Sequence, residues 1–396
     1  MLAHSPPFPL SIDHFDEYQS LTTEDEEGLF LAFQHRDRVR RIRLMKPVPI
    51  LQKLIIALDG EFPILEFLLI QHNLYHRPTT QDTTSLNLPE TFRAPHLRHL
   101  VLKNFTIPIE SPLLTSMGKN LITLSLIGIP SSAYFHPNAL LQLLSLMHQL
   151  ETLGIDFNCY VPSRGVERQL LLTPNMARVT LPNLRWFGFR GTSIYLEALL
   201  PWVTTPLLKK LQVYLFNQMI YSTSHLREFM STAGDLLLKT AAFKFSSNRL
   251  NVKSYPHKGA KMYTLDMDLS GKHLDWQVVS AAQVLRTLET VFSAVEHLTL
   301  EYNRNFMSLE WNNQADRSHW RGLLGSFGNV KTLRVEYELV GQLSRALQPG
   351  EGESPTELLP ALQELSCSTR GSSRDAFTVF IDARQEAGRP VTVVHF

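Results

Sequence analysis

The chain has 396 residues, length for two or three ordinary domains or one repetitive array, and its 44% apolar and 19% charged residues describe a folded chain with ample core material. Lys and Arg number 38 against 37 Asp and Glu, a net charge of +1 that offers no general attraction for nucleic acid or an anionic membrane; neither is expected as a partner. Two cysteines exclude a disulfide framework and suit a reducing compartment. No run reaches the roughly 18 apolar residues of a membrane helix, so the protein is expected to be intracellular, cytoplasmic or nuclear.

Met1–Leu10 holds two consecutive prolines and no apolar stretch of signal-peptide length. Leu10-Ser11-Ile12-Asp13 reads as an edge strand. Thr23 with Glu26 reads as a capping box ahead of Leu29, Phe30 and Phe33. Residues 1–36 are therefore expected to form an N-terminal cap. Next come Arg36, Arg38, Arg40, Arg41, Arg43 and Lys46 behind Glu24-Asp25-Glu26-Glu27, acid at a helix start and base at its end, which complements the helix dipole. A basic patch for an acidic or phosphorylated segment is the other reading.

From residue 37 one phrase, apolar-x-x-apolar-x-apolar, returns down the chain. It reads VRRIRL at Val39–Leu44, LEFLLI at Leu65–Ile70, LRHLVL at Leu97–Leu102 and LITLSL at Leu121–Leu126. It continues as LETLGI at Leu150–Ile155, LRWFGF at Leu184–Phe189 and LKKLQV at Leu208–Val213. VEHLTL at Val295–Leu300, VKTLRV at Val330–Val335 and LQELSC at Leu362–Cys367 complete the set. Consecutive starts lie 24 to 35 residues apart across the regular stretches, and 65 leucines supply the apolar positions. That period belongs to leucine-rich repeats.

Side chains alternate along a strand, so the fourth and sixth residues of each phrase face inward and the third and fifth outward. Helical stretches at Ile50–Leu58, Ala139–His148 and Leu274–Phe292 return the chain; the last carries Trp276, Val279, Val284, Leu285, Leu288 and Phe292 near helical spacing, with Asp275 in the first turn. One strand–helix unit cannot bury its own apolar face, but stacked neighbours can. The expected fold is an α/β leucine-rich-repeat solenoid, a horseshoe of about 11–13 irregular repeats over 37–396, with a parallel sheet on the concave face and helices on the convex face. Ninth-position asparagines, which bond the turn behind the strand, occur at Asn73, Asn158 and Asn303 only.

Between Leu208 and Val295 the phrase blurs. Phe243 and Phe245, then Leu265, Met267 and Leu269, alternate with polar residues and predict two strands, with Tyr255-Pro256-His257-Lys258-Gly259 as the turn of a projecting, hairpin-like segment over 240–270. Thr79–Leu88 and Pro349–Pro355 read as surface loops. Arg374–Ala387 reads as a helix stopped by Gly388 and Pro390, with Val391–Phe396 as a last strand, so 374–396 forms a C-terminal cap.

Catalytic chemistry is not expected. The chain has no phosphate-cradling glycine loop, and Gly325-Ser326-Phe327-Gly328 has the wrong spacing for a nucleophile elbow. His72 and His76 lack the adjacent Glu of a zinc-protease helix, and Arg77-Pro78 ends any helix there. His96 and His99 read as surface histidines. Cys159 and Cys367 fall in or beside repeat strands as small fillers. No catalytic residue, metal or cofactor is therefore assigned. Asn104-Phe105-Thr106 matches a glycosylation sequon without a secretory signal.

A partner would bind the outward residues of successive strands: Arg41 and Arg43, Phe67 and Leu69, His99 and Val101, Trp186, Lys210, His297 and Arg334. Phe67, Leu69, Val101 and Trp186 are apolar where a merely solvated face would be polar.

Three runs carry a resemblance. TTEDEEGLFLAFQHRDRVRRIRL at Thr22–Leu44, GKHLDWQVVSAAQVLRTLETVFSAVEHLTLEY at Gly271–Tyr302 and FIDARQEAGRPVTVVHF at Phe380–Phe396 resemble fungal F-box proteins with C-terminal leucine-rich repeats. The resemblance implies a non-catalytic substrate receptor of a cullin-based ubiquitin ligase, with a protein target on the repeats. The Leu-Pro-rich opening and Cys/Val–Trp close of an F-box are not found in Met1–Asp37, so the cullin-ligase adaptor is a partner only if an F-box is supplied upstream. The alternative is a stand-alone scaffold unrelated to ubiquitin.

Overall fold

The fold is that of a computed structural model, described over residues 8–14, 22–72, 88–105, 107–157, 177–216, 221–233, 236–302, 315–350, 352–368 and 375–396. The chain divides into two compact units, Met1–Gly191 with Trp202–Leu208 and Thr192–Pro201 with Lys209–Phe396. Each is a mixed α/β unit built on a largely parallel sheet.

In the first unit the elements run β1 (Leu10–His14), α1 (Thr23–Gln34), β2 (Val39–Lys46), α2 (Val48–Ile56), β3 (Phe67–His72), β4 (His99–Lys103) and α3 (Pro112–Met117). They continue with β5 (Thr123–Ile127), α4 (Pro137–Leu144), β6 (Thr152–Asp156), β7 (Val179–Thr180), β8 (Trp186–Gly191) and β9 (Val203–Thr204). The sheet order is β1-β2-β3-β4-β5-β6-β8, every pairing parallel, while β7 and β9 form a small parallel pair.

The repeat phrase sets this register. Phe67, His99, Thr123, Thr152 and Trp186, third in their phrases, stand side by side on neighbouring strands. First, fourth and sixth residues such as Leu97, Leu100 and Leu102, or Leu121, Leu124 and Leu126, are buried. Each such leucine contributes about 1.5–3 kcal/mol on removal from water. The amides of the second and third residues converge on the carbonyl of the second residue one phrase earlier: Arg98 and His99 on Glu66, Ile122 and Thr123 on Arg98, Glu151 and Thr152 on Ile122. Helices α2, α3 and α4 each carry proline in the first turn, where its missing N–H costs nothing. They bury leucines, among them Leu51, Leu54, Leu140 and Leu144.

The second unit holds α5 (Ser193–Leu199), β10 (Lys210–Leu215), α6 (Ser224–Thr232), β11 (Thr240–Phe245), β12 (Arg249–Tyr255), β13 (Leu265–Ser270), α7 (Leu274–Thr287), α8 (Glu289–Phe292) and β14 (His297–Tyr302). It ends with α9 (Arg317–Leu324), β15 (Thr332–Val335), α10 (Tyr337–Leu347), β16 (Glu364–Cys367), α11 (Thr378–Glu386) and β17 (Thr392–His395). Its sheet order is β10-β13-β12-β11-β14-β15-β16-β17.

Here the structure corrects the projecting hairpin. The middle segment makes three strands, not two, and all lie in the sheet, with β12 antiparallel to both β11 and β13. Leu250, Val252 and Ser254 alternate inward along β12, and a short turn at Ser246, whose hydroxyl donates to the Arg249 carbonyl at 2.8 Å, reverses the chain ahead of it. Tyr255–Gly259 does turn, with Gly259 at φ +83°, but it joins β12 to β13. This double reversal returns β13 to a parallel place beside β10, Leu265 opposite Leu211.

Other expectations shift by local chemistry. The capping box is formed by Thr22 and Asp25, one residue early: the Thr22 hydroxyl accepts from the Asp25 amide and the Asp25 carboxylate accepts from the Thr22 amide, both at 3.1 Å. Glu26 instead pairs with Lys53 at 3.0 Å. The last turn of α1 has no basic residue, so the arginine cluster does not serve its dipole. The expected helix Leu274–Phe292 breaks at Leu288. Trp276 is 43% exposed, because Gln277 turns inward and donates to the Ser246 and Gly271 carbonyls at 2.6 and 2.8 Å. Asn73, Asn158, Asn303 and Thr79–Asn87 lie outside the described residues.

An asparagine ladder does occur, at another position. Asn120, Asn183 and Asn329 immediately precede their phrases, and each side-chain amide donates to a carbonyl two residues ahead of the previous phrase: Pro95 at 2.9 Å, His148 at 3.1 Å and Ser293 at 2.8 Å.

Candidate functional site

The outward third and fifth residues form an ordered face in each unit. In the first, one row runs Arg41, Phe67, His99, Thr123, Thr152 and Trp186, and a second runs Arg43, Leu69, Val101, Ser125, Gly154 and Gly188. Parallel strands about 4.8 Å apart bring these side chains into mutual contact.

Arg41 lies with its guanidinium 4.4 Å from the centre of the Phe67 ring, and Phe67 in turn sits 5.8 Å from the His99 ring. Among the described residues Arg41 has no carboxylate partner, whereas Arg40 pairs with Glu66 at 2.9 Å and Arg43 with Asp13 at 2.9 Å. Stacking on Phe67 orients the Arg41 fork while leaving its N–H edge for an acceptor. His99 Nδ1 lies 3.0 Å from the Thr123 hydroxyl, and burial holds its pKa below the ordinary histidine value. A neutral ring that accepts the threonine proton at Nδ1 presents Nε2–H to the face.

Trp186 lies flat across the two glycines of its neighbourhood. A Cβ added at Gly188 would stand 2.8 Å from Trp186 Cζ2, and one at Gly154 would stand 3.3 Å from Cζ3. The indole is thus half-buried on a floor that any larger residue would fill. Leu69 is a correction: at 9% exposure it is buried and not open to a partner. Val101 remains half-exposed.

In the second unit, His297 and Arg334 share the face with Thr240, Thr299, Thr332, Glu364 and Ser366, but three strands separate His297 from Lys210 and four separate Arg334 from it. His297 repeats the arrangement of His99: Nδ1 is 2.7 Å from the Thr332 hydroxyl, and burial again lowers its pKa. Arg334 stays exposed, its guanidinium 3.8 Å from the centre of the Phe396 ring. Lys210 Nζ lies 3.9 Å from the Tyr263 ring.

Sequence reasoning missed a polar cluster here because it missed β12. Asn251 donates to Asp266 at 2.7 Å and to Asp268 at 3.2 Å, and burial raises the Asp268 pKa against the opposing pull of Arg249. The alternation in Arg249–Tyr255 was the available signal.

Among the described residues, no group of three or more His, Cys, Asp or Glu is placed to hold a metal ion. Cys367 is buried, its thiol pushed up by that burial, with Sγ 3.3 Å from His395 Nδ1. A depression of about 260 Å³ lined by Pro108, Ile109, Glu110 and Ser132–Phe135 holds one carboxylate. His76, Cys159 and Thr106 of the sequon lie outside the described residues. No described helix is long and apolar enough to cross a membrane.

No protein-family model matches the chain, and no curated protein does. Among solved structures, the chain is similar to one titled crystal structure of the TLR13–ssRNA13 complex, at 12% identity and a TM-score of 0.34. The match covers 92% of this chain and 43% of that one, so this chain spans less than half the neighbour's length.

Proposed function

We propose that this chain is a non-catalytic recognition protein of the leucine-rich-repeat kind, which binds a protein segment across the outward face of its strands. One observation carries the reading: Arg41, Phe67 and His99 stand in register as a stacked, donor-bearing row, and Arg41 has no carboxylate partner among the described residues. Trp186 at the end of that row adds an aromatic contact of the type that dominates binding hot spots. The proposed contact residues are Arg41, Arg43, Phe67, Val101, His99 and Trp186 in the first unit, and Lys210, His297 and Arg334 in the second.

The resemblance of Thr22–Leu44, Gly271–Tyr302 and Phe380–Phe396 to F-box proteins with leucine-rich repeats supports a more specific role as the substrate-receptor portion of a ubiquitin ligase. A stand-alone scaffold uses the same face without the ligase. Capture of partners by the tagged chain, compared with Arg41→Glu/Phe67→Ala and with Trp186→Ala, tests both. The expected result is a partner set lost in the variants while their melting temperatures stay within a few degrees of wild type. Recovery of the cullin-ligase adaptor favours the receptor. A face-dependent partner without the adaptor favours the scaffold, and capture indifferent to all three substitutions refutes the face.

A further inference from the structure

A whole-chain charge of +1 conceals a segregated stripe. At one edge of the second unit's sheet, where most strands begin and β12 ends, the topology gathers Lys209, Lys210, Lys239, Lys253, Lys258, Lys261 and Lys331. Backbone bonds order this row: Leu211 N to the Thr264 carbonyl, Lys239 N to that of Tyr255, Glu296 N to that of Lys239 and Lys331 N to that of Glu296. Four carboxylates stand near, among them Glu364, opposite Thr332 on the neighbouring strand. Glu296 is held between Lys239 at 2.9 Å and Lys331 at 2.7 Å, while Asp266 and Asp268 are bonded by Asn251.

The hairpin between β12 and β13 concentrates the effect. Lys253–Thr264 contains three lysines and no acidic residue. Lys210 and Lys253 flank Tyr263, with Nζ atoms 3.9 and 5.5 Å from its ring centre. Beside these cations stand two apolar side chains that fold into nothing: Met262 is 67% exposed and Leu237 61%, and the Leu237 carbonyl accepts the Thr264 hydroxyl at 3.0 Å.

Three properties select a partner. The cations are all lysines, point charges suited to diffuse phosphate rather than to the planar, two-pronged fit that arginine gives a carboxylate. Exposed Met and Leu at the rim gain from an apolar phase beneath a charged surface, which lipid supplies and a nucleic-acid backbone does not. Of the two tyrosines in the hairpin, Tyr263 is already held by lysines and is not free to stack on a base. We propose that this lysine-lined edge, with Met262 and Leu237 as its apolar points, docks the second unit on an anionic phospholipid surface. Basic groups beside such a surface are drawn in additively, and the attraction decays over a Debye length.

The test is co-sedimentation of the full chain with phosphatidylcholine vesicles, with and without about a third phosphatidylserine, over a salt series. The proposal expects binding to the anionic vesicles only, falling steeply as salt shortens the Debye length from about 30 Å at 0.01 M to about 10 Å at 0.1 M. Lys258→Glu/Lys261→Glu, both on an exposed turn, should lower partitioning at least about tenfold, as expected for two near-surface cations. Met262→Ser should weaken it about threefold or more without changing its salt dependence, since the apolar contact is unscreened. Circular dichroism melts matching wild type show that both variants fold. Equal binding to neutral vesicles, insensitivity to the charge reversal, or no vesicle binding at all overturns the proposal. So does binding to a single-stranded RNA oligonucleotide in place of vesicles, which would make the stripe a nucleic-acid site.

Discussion

Arg384 in α11 is fully buried, 0% exposed, and has no carboxylate partner among the described residues. Its guanidinium instead donates to backbone carbonyls: Leu362 at 3.1 Å, Leu359 at 3.3 Å, Arg389 at 3.3 Å and Pro360 at 3.5 Å. It thereby pins the turn before β16, where Leu359 adopts φ +51°, to the helix that follows the strand. Burial, helped by Arg389, holds its pKa below the ordinary arginine value. Arg384→Met keeps most of the stem and removes the donors. The bonds to Leu359 and Leu362 are the buried ones, and a stranded buried acceptor costs about 1–3 kcal/mol, so the gross loss is about 2–6 kcal/mol. Removing a buried charge offsets part of this, and the carbonyls can rehydrate if α11 lifts. A net loss of about 2–4 kcal/mol is expected. Arg384→Lys keeps the charge but not the fork, and should recover less than half of that loss. Urea unfolding gives the total, and amide hydrogen exchange across Leu358–Phe396 localises it. A loss under about 0.5 kcal/mol for the methionine variant, with unchanged exchange, would mean that Arg384 fills space and clamps nothing.

Other outcomes follow from the same contacts. Hydrogen bonds and charge from Lys331 and Lys239 hold Glu296 at about 2 against an ordinary 4.5, so its contribution to stability is full above about pH 4.5 and is lost as pH falls toward 2. A carboxyl carbon-13 titration should put its midpoint near 2; a midpoint above 4 would show that the lysines do not engage it in solution. Leu124, 0% exposed, should cost about 2–5 kcal/mol as Leu124→Ala and unfold the surrounding repeats as Leu124→Asp, by circular dichroism. A folded aspartate variant would mean the inward register is wrong. Gly188→Val should lift the Trp186 indole from its floor and raise its quenching by acrylamide, and unchanged quenching would show that the ring never rested there.

Much of the site was legible in the phrase itself. The period-two alternation of a strand makes the third residues outward once the fourth are inward, and so it aligns Arg41, Phe67, His99 and Trp186 on one face. Periodicity could not foresee the fate of individual side chains on that face. Leu69 is buried, while Arg43 pairs with Asp13 and the exposed Arg334 stacks on Phe396, two neighbours that the repeat does not encode. The asparagine ladder is written in the sequence as KNL, PNL and GNV, ahead of each phrase and not at its ninth position.

The sequence by itself determined the parallel strands, their register and their buried leucines, since these follow from local alternation repeated at a regular interval. Only the tertiary structure decided the order of strands in the middle of the second unit. The alternation in Arg249–Tyr255 is compatible with either strand direction, and the antiparallel choice rests on turns that bring Leu250 opposite Leu269 and Val252 opposite Met267. That same reversal carries the lysines of a distant hairpin to the edge where Lys209 and Lys239 stand. Net charge is a sum over the chain and holds no information about which residues a fold makes neighbours.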